Sequence, residues 1–191
     1  MLNKSFLMNV YIRKTHLSAR QKTASSRKQQ AEYNRKARKI MIRITSFKAM
    51  NARKNIEGYD EVWAIVRSLK YPSPKLIQTV SLAPSMELFN DYLSIKHADN
   101  WNEQTFTSIY VPKFMKEMLD LQACSSLDYL YAQDKMDKKI CLVCFCTDEK
   151  LCHRSIIAGL LQGSGCNVVT DTGTDYSEYY QMWERLQNER G

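Results

Sequence analysis

Four cysteines, Cys141, Cys144, Cys146 and Cys152, fall within twelve residues, and the last runs directly into His153 and Arg154. Thiolate, imidazole and guanidinium are side chains that supply a nucleophile, a proton shuttle and an anion holder. Seven residues separate Cys144 from Cys152, a spacing that reads as strand end, loop and first helical turn. A helix N-terminus presents unpaired N–H groups and the positive end of a dipole, and open α/β sheets bind ligands beyond the carboxyl ends of their strands. A cysteine in that turn beside Arg154 is expected to have a lowered pKa and thiolate character. On this reading Cys144, Cys152 and His153 are the catalytic candidates. Arg67, Cys146, Arg154 and Ser155 are the candidates for binding an anionic small molecule, phosphate- or nucleotide-like, in a thiol-dependent enzyme whose reaction the sequence does not specify.

The same residues admit a second chemistry. Cys141-x2-Cys144-x-Cys146-x5-Cys152-His153 offers up to five nitrogen and sulfur ligands, enough for a zinc ion or an iron–sulfur cluster. Strand alternation limits the set: Cys144 and Cys146 share a face of a regular strand while Cys141 points to the other, as a small buried hydrophobe. The bland alternative has these cysteines packing a strand–helix junction and Arg154 pairing with an acid such as Asp148. Packing alone does not call for a basic pair beside two thiols, so the group as a whole favours function.

The elements that must position these residues follow from periodicity. Residues 41–47 alternate with a β period, and Val62-Trp63-Ala64-Ile65-Val66 is a continuous apolar run of a strand covered on both faces. Residues 76–80 give a further short strand, residues 140–146 the clearest buried strand, and residues 167–170 another. Ser85 reads as the N-cap of a helix carrying Leu88, Phe89, Tyr92 and Leu93. Pro112 reads as the first turn of a helix through Met115, Met118, Leu119 and Gln122. Cys152 opens a helix that Gly163 and Gly165 stop. Asp175 and Glu178 suggest a capping box for a last helix with Tyr176, Tyr179, Trp183 and Leu186. Trp101 and Tyr110 could wall a pocket, but amphipathic core packing is the favoured reading. Strands alternating with helices predict a three-layer, Rossmann-like α/β domain with a mostly parallel sheet over residues 41–191.

The formal charge of +8 is unevenly placed. Residues 1–43 hold 12 basic residues and one acid, Glu32, a net of +11, and the remainder nets −3. A basic domain face is thus excluded, and nucleic acid enters only through the arm at residues 1–40. That arm reads foremost as a disordered, solvated tail, or as residues upstream of a translation start at Met41; an organelle leader is a further reading of its composition. No apolar run approaches a membrane span of about 18 residues. Unpaired cysteines with no secretory segment point to a cytoplasmic protein. Nothing in the sequence fixes an oligomeric state.

The run Cys144-Phe145-Cys146-Thr147-Asp148-Glu149-Lys150-Leu151-Cys152-His153-Arg154 resembles the hallmark of the domain of unknown function 488 family: a buried strand ending in Cys, seven residues, then Cys-His-Arg. The resemblance spans about residues 41–170, through Met41-Ile42-Arg43-Ile44-Thr45-Ser46-Phe47, the strand ending in Arg67, Leu82-Ala83-Pro84-Ser85 and Tyr92. It implies a fold and a site, not a reaction. Two positions depart from the family: Ile65-Val66-Arg67 stands where many members carry Asp-Val-Arg, and Cys146 occupies the place usually held by an acid. Cysteine phosphatases bracket five residues between Cys and Arg; Cys146 and Arg154 bracket seven, which rejects that identity.

Overall fold

The structure is a computed structural model and describes residues 42–53, 58–70 and 73–189. The expectations for the arm and for Met41 lie outside the described residues. Five parallel strands, β1 (Ile42–Ser46), β2 (Glu61–Ala64), β3 (Leu76–Gln78), β4 (Ile140–Cys144) and β5 (Val168–Thr170), form one sheet in the order β3-β2-β4-β1-β5. Helices flank it, as an α/β fold requires: α1 (Phe47–Arg53), α2 (Met86–His97), α3 (Val111–Glu117), α4 (Leu121–Lys135), α5 (His153–Gly163) and α6 (Glu178–Asn188).

β4 is the middle strand, and all five of its residues are fully buried. That is why its sequence runs Ile-Cys-Leu-Val-Cys without alternation. β1 and β2 pair on either side of it, with Ser46 opposite Cys144 and Ala64 opposite Val143, so three carboxyl ends meet at one place. β2 is shorter than the apolar run suggested. Ile65 still bonds Val143 through its N–H, but its carbonyl turns away to His153, and Val66 leaves the ladder while staying buried. β3 is an edge, and its short length fits the exposure of Ile77 and Val80.

Ser85 caps α2 as expected, its Oγ accepting from the Leu88 N–H at 3.1 Å. Other boundaries differ. The helix at Pro112 begins earlier, at an Asn102–Thr105 capping box, and passes through a π-helical turn, Phe106–Tyr110, before α3. It also ends earlier, because Asp120 starts a separate helix, α4, its carboxylate accepting from Gln122 N–H. The Asp175–Glu178 box does not form; Asp175 accepts instead from Ser177 N–H at 2.9 Å.

α5 carries the site and is packed to contact. A Cβ on Gly159 would stand 2.1 Å from the Tyr176 carbonyl oxygen and 2.9 Å from Cβ of Tyr179. Only a residue without a side chain lets α5 approach so closely. Gly159→Ala is expected to lower stability by about 1–3 kcal/mol in urea denaturation. Gly58→Ala, with nothing within 4 Å of the added methyl, should change it by no more than about 0.5 kcal/mol. Equal midpoints for the two variants would contradict this packing.

Candidate functional site

Cys144 is the last residue of β4, and the chain then turns outward: Phe145 is 61% exposed and stacks on Phe47 at 4.8 Å. Cys146 is half-buried, and residues 147–151 form the loop that leads to Cys152, the N-cap residue of α5. Two carboxylates shape that loop. Asp148 accepts from the Lys150 N–H at 2.9 Å, closing the turn locally. Glu149, only 4% exposed, accepts from Asp171 N–H, Thr172 N–H, the Thr172 hydroxyl and the Tyr176 hydroxyl. It ties the loop to the segment after β5, and Asp171 is itself held over β1 by Arg43 and Thr45.

These supports bring three sulfurs and one imidazole together. The ligand atoms of Cys144, Cys146, Cys152 and His153 all lie within 4.8 Å of one another. Cys144 Sγ is 3.3 Å from Cys152 Sγ, which is 3.6 Å from His153 Nδ1. The other ring nitrogen, Nε2, lies 3.0 Å from the Ile65 carbonyl oxygen. A carbonyl can only accept, so Nε2 carries the proton and donates, and Nδ1 presents a bare lone pair to the sulfurs. Phe114 packs edge-on against the ring and holds its plane.

Arg154 lies beneath the cluster, 1% exposed. Its Nη1 donates to the Cys146 carbonyl and lies 3.8 Å from Cys144 Sγ, and Nη2 donates to the Thr147 carbonyl at 3.3 Å. Nε is buried with no partner. The guanidinium therefore braces the loop through its main-chain carbonyls and does not pair with Asp148. Ser155 is fully buried, its hydroxyl donating to the Cys152 carbonyl within the first helical turn. Cys141 stands apart from the four, as the strand alternation requires, and burial pushes its thiol up to about 12.

The thiolate does not fall where the sequence suggested. Complete burial, then the neighbouring sulfurs Cys144 and Cys146, push the Cys152 thiol well above its ordinary value. Cys146 is the one held far below it, by hydrogen bonding from Cys144 and Cys152 and by the charge of His153 and Arg154, against the opposing effect of burial. Hydrogen bonds from the two neighbouring thiols favour the charged form of Cys146, whereas complete burial disfavours that of Cys152. Burial also lowers the His153 imidazole, against the opposing pull of the Cys146 sulfur.

A cavity of about 230 Å³ opens onto the cluster, and all four ligand residues line it. Arg67 lines it too, whereas Arg154 and Ser155 do not. The remaining wall is mainly aromatic, including Phe89, Tyr92, Trp101 and Tyr110. Trp101 and Tyr110 thus pack in the core and also face a pocket. The pocket reading of these two residues, the less favoured one from sequence, holds alongside the core reading.

The donor set fits one tetrahedral ion. Metal–sulfur and metal–nitrogen bonds of about 2.3 and 2.1 Å place tetrahedral ligand atoms roughly 3.5–3.8 Å apart, beside 3.3 and 3.6 Å for the two pairs around Cys152 and a span of up to 4.8 Å for the set. A family model described as "DUF488-N3a: Active DUF488-N3 subclade" matches residues 54–165, a span that contains the whole cluster. No curated protein and no solved structure matched the chain.

Replacing Glu149 with Ala would remove a buried carboxylate that accepts from two N–H groups and two hydroxyls. Glu149→Ala is therefore expected to cost on the order of 3 kcal/mol in chemical denaturation. A loss under about 0.5 kcal/mol would contradict the latch.

Proposed function

We propose that this chain, which belongs to the DUF488 family, is a metal-binding α/β protein whose Cys144, Cys146, Cys152 and His153 hold one zinc ion at the floor of a ligand cavity. The observation that carries this reading is the bare Nδ1 lone pair of His153 directed at three sulfurs within 4.8 Å. The Ile65 carbonyl is the outer partner that fixes the tautomer, as metal-bound histidines require. Charge supports it as well. Three thiolates on a divalent ion leave one negative charge, and the buried guanidinium of Arg154, 3.8 Å from Cys144 Sγ, balances it.

Zinc suits the geometry better than an iron–sulfur cluster. Several irons, each bound by its own thiolate, would spread the sulfurs apart, whereas Cys144 and Cys152 nearly touch. An anion held by Arg154 has less support, since that guanidinium donates to two carbonyls and lies outside the cavity wall. With four protein ligands, zinc here would have a closed tetrahedral shell and would serve to tie the end of β4 to the start of α5. The chain's own residues hold that ion, orient the imidazole, and wall the neighbouring space with aromatic rings.

Elemental analysis of protein purified under reducing conditions tests the reading. Wild type is expected to carry about one zinc per chain, Cys146→Ser and His153→Ala to bind it more than about tenfold more weakly, and Cys141→Ser to bind it unchanged. A wild type that takes up no zinc, or full occupancy in Cys146→Ser and His153→Ala, would remove the metal centre.

A further inference from the structure

The cavity above the cluster carries chemistry of its own. At about 230 Å³ it lies just below the range of roughly 300–1,000 Å³ usual for drug-sized ligands, with room for one ring system. Its aromatic wall is fixed in advance. Trp101 meets Tyr92 edge-on at 4.7 Å and Tyr110 at 5.4 Å, and Lys96 Nζ holds the Tyr92 hydroxyl at 3.0 Å. Tyr110 ends the π-helical turn Phe106–Tyr110, an irregularity that recurs at functional sites because it re-aims side chains.

Two polar groups in this wall have no partner among the described residues. Tyr110 is 5% exposed and lines the cavity, and its hydroxyl, which is not among the sealed polar atoms, makes no hydrogen bond to a described residue. The Arg67 side chain lines the same cavity and forms no ion pair or hydrogen bond there. An isolated anion would lose its hydration against apolar rings. A hydrocarbon would leave the hydroxyl and the guanidinium unanswered. A planar ring carrying a hydrogen-bonding atom and an anionic substituent satisfies both.

We propose that the cavity binds a planar aromatic ring bearing an anionic group, with the ring among Phe89, Tyr92, Trp101 and Tyr110, its polar atom on the Tyr110 hydroxyl, and the anion on Arg67. This rests on the zinc reading only in setting one edge of the ring against the metal. The anion comes either as a phosphate on a nucleoside or as a carboxylate on the ring itself, and the cavity chemistry is shared by both.

Calorimetric titration of the full zinc-loaded chain tests it, with adenosine 5′-monophosphate and indole-3-carboxylate as probes and ribose 5-phosphate as the anion without a ring. At least one ring-bearing probe should bind about tenfold or more tightly than ribose 5-phosphate. Tyr110→Phe, which removes only the hydroxyl, and Arg67→Ala should each weaken it by about tenfold. Binding of neither ring probe above ribose 5-phosphate, or wild-type affinity in both variants, would overturn the proposal. Metal content measured on the same samples separates the two readings. Zinc without ring discrimination removes the cavity ligand alone, and ring discrimination without zinc removes the metal alone.

Discussion

A guanidinium sealed inside a protein dictates much of what surrounds it. Arg154 is 1% exposed, and among the described residues no carboxylate forms an ion pair with it. A buried cation without a counter-charge is strongly unfavourable. Burial works against its charge, and the sulfurs of Cys152 and Cys144, with Glu149, outweigh that and raise its pKa. The negative charge that Arg154 demands is thus drawn toward the cysteines. Its two carbonyl partners belong to residues 146 and 147, so the same group that calls for thiolate also folds the loop that delivers Cys146 to the cluster.

The second constraint comes from the sheet. β2 ends two residues before its apolar run does, and the freed Ile65 carbonyl takes the His153 Nε2–H at 3.0 Å. Continuing the strand would bury that imidazole with an unpaired proton on one nitrogen or a misdirected lone pair on the other. Ile65 contributes only apolar bulk and its main chain, and Cys146 contributes sulfur.

Much of the fold was legible because its strongest signals are local. The unbroken run at 140–144, the Ser85 cap and the glycines at the end of α5 each act within a few residues. α4 was not legible: Leu121–Lys135 mixes Cys, Ser, Gln and Asp with its apolar positions, and its helicity rests on tertiary packing and the Asp120 cap. The π-turn hid the start of the helix before Pro112, since no apolar period marks an i→i+5 ladder. At the site, spacing alone brought Cys144, Cys152, His153 and Arg154 together and separated Cys141. Spacing could not say which way the long Arg154 side chain would turn, and it turned inward. Nor could it show that Trp101 and Tyr110 join Phe89 and Tyr92 around one space, because that convergence belongs to three separate elements.

Substitution with cobalt(II) reads the coordination sphere itself. Reduced, metal-stripped protein titrated with cobalt should develop near-ultraviolet sulfur-to-metal charge transfer and the intense visible bands of a tetrahedral ion, saturating at about one equivalent. The charge-transfer intensity should fall when Cys146 is replaced by Ser. A weak octahedral spectrum, or none, in protein that remains folded would contradict the convergence of three sulfurs and one imidazole on a single metal.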